Sequence, residues 1–143
     1  MMFDAGVNAW AIVLAAAASF VFGGVWYGIL AKQWAEVAGL REDQLKSARG
    51  PSPKPFVIAL VAQLVMASIL DGLLLQLVHA GTPAGFLTGA VVGFLVWLGF
   101  IVTALAVNHQ FQMRPVALTA IDGGHWLGVT LIQGIILGAM GFN

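Results

Sequence analysis

Apolar residues fall along the chain in four blocks, at about 5–31, 56–78, 84–107 and 116–141. A helix needs about 20 apolar residues to cross a bilayer, so each block is long enough for one crossing. The polar stretches between them are unequal. Residues 32–55 form the only sizeable loop, His79-Ala80-Gly81-Thr82-Pro83 reads as a tight turn, and Arg114-Pro115 leads into the last block. The pattern predicts an all-α integral membrane protein, a bundle of four transmembrane helices within a single membrane domain, 1–143.

The last block breaks the pattern in an informative way. It holds an acid and an imidazole, Asp122 and His125, within an otherwise apolar run. At ~3.6 residues per turn, Asp122, His125, Val129 and Gln133 share one face within roughly 80°, while Gly123, Gly124, Gly128, Gly134 and Gly138 lie on the other side. A polar stripe opposite a small-residue face marks this span as the central helix.

Composition supports lipid as the solvent. Of 143 residues, 60% are hydrophobic and 8% are charged, and mean hydropathy is +0.95. Soluble domains carry about 25% charged residues, so too little polar surface is present here to coat a water-soluble globule. Net charge is zero and no basic run points to nucleic acid. The absence of cysteine removes disulfides, thiolate metal sites and thiol catalysis. Ala15 to Ser19 looks like a small-residue cleavage region, but Asp4 precedes the apolar run and no Lys or Arg does, so the first segment is expected to be a retained helix.

All six basic residues fall on one side of a four-span arrangement: Lys32, Arg41, Lys46, Arg49 and Lys54 in the long loop, and Arg114 in the third. The positive-inside rule places that side in the cytoplasm and both termini outside. Within the loop, Leu40 to Arg49 can form a short polar helix that the run Gly50 to Pro55 stops. Small residues predict where helices approach one another: Gly24-x-x-x-Gly28 in span one, and Gly85, Gly89 and Gly93 in span three. Two echoes, Trp26-Tyr27-Gly28 with Trp97-Leu98-Gly99 and Asp71-Gly72 with Asp122-Gly123, admit two parallel helix-hairpin repeats, although their depths match poorly.

The Gly-x-x-Trp-Tyr-Gly end of span one (Gly23 to Gly28), Trp34 with Gly39 after it, and Asp-Gly in the last span resemble a bacterial group. It is the family of small four-helix membrane proteins known as domain of unknown function 1761. The resemblance covers nearly the whole chain and is most specific at Trp-Tyr-Gly. It implies a bacterial inner-membrane protein with four helices, and no activity, substrate or catalytic residue.

Counting ~1.5 Å per residue from the cytoplasmic ends sorts the polar groups by depth. Gln63, Asp122 and His125, with Tyr27 and Trp97 near them, form an expected layer in the inner half. Asp71 and Gln133 form a second layer further out. His109 and His79 fall at the two rims and read as interface residues. Trp10, Trp34 and Trp126 read as anchors or packing. An acid at membrane depth costs about 2.5–3.5 kcal/mol on insertion scales, so Asp122 is expected to share a proton with His125, or with Gln63 and Tyr27. That chemistry suits a proton or solute site in an oligomeric transporter or channel-like protein, with the glycine faces of spans three and four as subunit contacts. The same small loops and glycine faces suit a non-catalytic assembly or regulatory partner of a larger membrane protein. An enzyme is the weakest reading: no Gly-x-Ser-x-Gly elbow occurs, and neither a metal nor a cofactor is expected, the three histidines being spread from rim to rim.

Overall fold

The computed structural model describes residues 6–48, 50, 52–140 and 142. Among the described residues the chain is helical, with no strand: α1 (Ala9–Ile29), α2 (Ala31–Ala38), α3 (Glu42–Ala48), α4 (Lys54–His79), α5 (Phe86–Val96), a π-helical segment (Trp97–Ile101), α6 (Val102–Phe111) and α7 (Val116–Met140). α1, α4, the continuous run Phe86–Phe111 and α7 are each long and apolar enough to span a membrane. They match the four expected blocks.

Local chemistry sets the ends. Asn8 caps α1 by accepting from the backbone N–H of Trp10 and Ala11. Its amide also donates to the Met140 carbonyl at 3.0 Å, which ties the start of α1 to the end of α7. Gly39 ends α2 in the left-handed conformation (φ 71°). That glycine also admits the Arg114 guanidinium, which a Cβ there would overlap. The long loop and the third loop therefore meet at one end of the bundle, and the start of α1 meets the end of α7 at the other.

α7 is the hub. It touches each of the other three spans, whereas α4 and α5 barely meet. In its most apolar stretch 44% of residues are buried, against 6% for the third span, which lies along α7 with most of its surface bare. A buried apolar cluster of alanine and leucine lies between α1, α4 and α7, with Ala11, Ala15, Ala67, Leu74 and Leu137 fully buried.

Glycines carry the α5–α7 crossing. Added Cβ atoms on Gly89 and Gly93 would overlap the carbonyls of Gly134 and Thr130, and one on Gly138 would overlap the Gly85 carbonyl. The faces expected to join subunits are thus used inside the chain. Gly124 and Gly128 make room instead for aromatic rings of α1, Trp26 and Phe22. Gly24 and Gly28 differ from expectation: both are exposed, and a Cβ on either would meet nothing among the described residues within 4 Å. The expected polar helix in the loop is present as α3. By contrast, α2 was expected to be loop. It places Trp34, Ala35 and Ala38 inward and Lys32, Gln33 and Glu36 outward.

Candidate functional site

The polar layers assemble differently from the depth count. In the middle of the bundle, Ser19 Oγ donates to Gln63 Oε1 at 2.6 Å, and Gln133 Nε2 donates to Ser19 Oγ at 3.0 Å and to the Gln63 carbonyl at 3.2 Å. All three side chains are buried. Gln63 therefore belongs with Gln133 and not with Asp122. The count failed because the spans do not start in one plane. Gln133 lies 18 residues after Pro115 and Gln63 only 8 after Pro55, yet they bond, so α4 is offset along α7 by about 15 Å.

Asp71 is displaced by the same offset. It sits two turns beyond Gln63, about 12 Å along α4. It is fully buried, and neither carboxylate oxygen has a hydrogen-bond partner among the described residues. The expected Asp71–Gln133 pair does not form.

The offset leaves the loop-side half of α7 free of α4, and α2 packs there instead. Asp122 occupies this end. Its Oδ1 accepts from the Tyr27 hydroxyl at 2.7 Å and from Trp34 Nε1 at 3.2 Å. Its Oδ2 lies 3.5 Å from His109 Nε2, and His109 Nδ1 lies 2.9 Å from Thr119 Oγ1. The His109 and Asp122 side chains are 10% and 17% exposed, so the pair is largely withdrawn from solvent without being sealed. Two more indoles brace the helix on either side: Trp26 Nε1 donates to the Ile121 carbonyl at 3.0 Å and Trp97 Nε1 to the Gly123 carbonyl at 2.8 Å. Trp97 heads the π segment, a local widening of the helix common at functional sites.

Tyr27 and Trp97 thus stand where the sequence placed them, and three partners were missed. Trp34 is a donor to Asp122, His109 Nε2 faces its other oxygen, and Thr119 holds the far side of the imidazole. A signal for His109 exists in the sequence. The turn before Pro115 is short, so residues at equal distances on either side of it share a depth, and His109 and Thr119 are nearly equidistant.

His125 lies against this network through Tyr27 without a hydrogen bond to it among the described residues. Its ring packs against Tyr27 (centroids 4.8 Å apart), Trp126 (4.6 Å) and Phe22 (6.2 Å, stacked), and Nδ1 is buried without a hydrogen-bond partner among the described residues. Gly23 supplies the notch: a Cβ there would lie 2.8 Å from His125 Nε2. Gly23→Ala is expected to push the ring aside and lower stability by about 1–3 kcal/mol, the usual range for overpacking. Gly24→Ala, one residue on and facing open space, is expected to be neutral or stabilising by up to about 1 kcal/mol through helix propensity. Unfolding midpoints in micelles compare the two, and equal midpoints would contradict this placement of His125.

A family model described as Protein of unknown function (DUF1761) matches residues 10–138. The chain belongs to this family. No curated protein and no solved structure matches it. The match spans all four apolar helices and the whole Asp122 cluster, so membership accords with a multi-pass membrane protein and leaves activity to be argued from the site.

Proposed function

We propose that this DUF1761 protein is a small proton-linked transporter or channel-like protein, with Asp122 and His109 as its proton-exchanging pair. The carrying observation is the contact of Asp122 Oδ2 with His109 Nε2 at 3.5 Å beneath a cover formed by α2. The threonine hydroxyl behind the imidazole accepts or donates, so it can stay bonded to Nδ1 in either protonation state of the ring. Tyr27 and Trp34 hold the other carboxylate oxygen and fix its orientation. The positive-inside rule supports a cytoplasmic-membrane location with this end facing the cytoplasm.

The test is proton flux in proteoliposomes. Asp122→Asn keeps an oxygen for Tyr27 and Trp34 but cannot exchange a proton, so flux is expected to vanish while the variant stays folded. His109→Gln is expected to reduce it at least tenfold. Unchanged flux in Asp122→Asn would end this reading.

A second reading, as an assembly or regulatory partner of a larger membrane protein, has its own support. The third span is almost bare, and Gly24 and Gly28 present an open small-residue strip. Crosslinking in native membranes separates the two. One stoichiometric partner, released by Gly24→Leu with Gly28→Leu, favours assembly; self-crosslinks alone favour an oligomeric transporter.

A further inference from the structure

α2 stands apart from the four spans. It has eight residues, and isolated helices shorter than about 12–15 residues are marginal in water. Its order therefore depends on what it docks on, which is α7 and the end of α1. A non-helical residue bounds it on each side: Leu30 (φ −97°, ψ 16°), where α1 stops, and left-handed Gly39. Past Gly39 the described side chains of α3 are exposed, and the ion pairs there are local, Arg41 with Asp43 and Lys46 with Glu42. The chain beyond Gly39 thus adds little to hold α2 down.

The docked face is apolar with one exception. Ala35 is 8% exposed, and Trp34 meets Tyr27 edge-on with centroids 5.9 Å apart. The exception is Trp34 Nε1, which donates to Asp122 Oδ1 at 3.2 Å. Among the described residues this is the only side-chain hydrogen bond from α2 to another element. The other groups around the carboxylate come from three elements. Tyr27 of α1 shares Oδ1, His109 of α6 faces Oδ2, and His125, one turn along α7, packs on Tyr27. Arg114 lies against Gly39, while Lys32 and Glu36 are exposed on the outer face of α2.

We propose that α2 is a hinged gate over Asp122, held shut through Trp34 by the charge of the carboxylate. Hydrogen bonds to an ionised acceptor are roughly twice as strong as neutral ones, so neutralising Asp122 weakens the one polar hold that α2 has on α7. The helix then lifts at Leu30 and Gly39 and uncovers the Asp122–His109 pair on the loop side. Taken with proton exchange at that pair, on which this regulation rests, a proton that reaches Asp122 opens its own exit.

The test is thiol accessibility in the full chain, which has no cysteine of its own. Ala35→Cys reports on the docked face of α2 and Gln33→Cys on its exposed face. Thr130→Cys, nearly unchanged in size, reports on the buried part of α7. Each is reacted with a water-soluble maleimide in detergent micelles. Ala35→Cys should label slowly in the native background and about tenfold faster with either Trp34→Phe or Asp122→Asn, the worth of one hydrogen bond. Gln33→Cys should label rapidly, and Thr130→Cys slowly, in every background. An unchanged Ala35→Cys rate in either variant would overturn the gate. So would equal acceleration at Thr130→Cys, since Asp122 and Trp34 would then be holding the whole bundle. Labelling needs no proton gradient, so the two readings fail separately. Flux lost in Asp122→Asn with Ala35→Cys unchanged removes the gate alone; a released gate with native flux in Asp122→Asn removes the proton pair alone.

Discussion

Gly89→Leu is expected to be the most damaging single substitution in the chain, lowering stability by about 3 kcal/mol or more. Overpacking a core ordinarily costs about 1–3 kcal/mol because neighbouring side chains shift to make room. Here the obstacle is backbone. A Cβ on Gly89 would overlap the Gly134 carbonyl, and one on Gly134 would overlap the Gly89 carbonyl, so neither helix can yield without separating. The third span meets α4 only slightly, so α7 is its main support. Equilibrium unfolding in mixed micelles should show the loss, and Gly134→Leu should match it. Gly99→Ala, where an added Cβ meets nothing within 4 Å, should leave the midpoint unchanged. A Gly89→Leu variant as stable as the native chain would rule out this crossing.

Asp71→Val is expected to act in the opposite direction and stabilise the fold by about 1–3 kcal/mol. Asp71 is fully buried beside Leu70 and Leu74, and among the described residues neither oxygen has a hydrogen-bond partner. Leaving a buried polar group unsatisfied costs about 1–3 kcal/mol, and more for a charge; an apolar side chain of similar shape removes that cost. The readout is again the unfolding midpoint, set beside proton flux. A gain in stability with loss of flux would mean that the carboxyl is kept for transport. A gain with unchanged flux would assign it no part in transport. Destabilisation would show that Asp71 makes a stabilising interaction in the bilayer.

Much of the fold was legible because hydropathy acts one segment at a time. Blocks of about 20 apolar residues have few alternatives to helices that satisfy their own backbone groups in lipid, so the four spans follow from the sequence alone. The central place of α7 was legible too, since only that span has both a polar stripe and a run of small residues. The site was only partly legible. Asp122, Tyr27 and Trp97 were found because acids and aromatics inside an apolar run stand out. His109 and Trp34 were missed because they lie near span ends, where the same residue types usually serve as interface anchors.

What the sequence could not express is the axial offset between helices. Periodicity defines the face of a residue, but its height against a neighbour depends on how two surfaces interlock. The alanine face of α1 and the Ser19–Gln63–Gln133 bonds set α4 about 15 Å along α7. That one displacement separated Gln63 from Asp122 and Asp71 from Gln133. It also opened the loop-side face of α7 to α2 and Trp34. The sequence by itself determined the number of helices, their polar faces and the gathering of basic residues in two loops, because each is a property of a single segment. Only the tertiary structure decided which polar groups meet, because contact depends on the relative heights of separate segments.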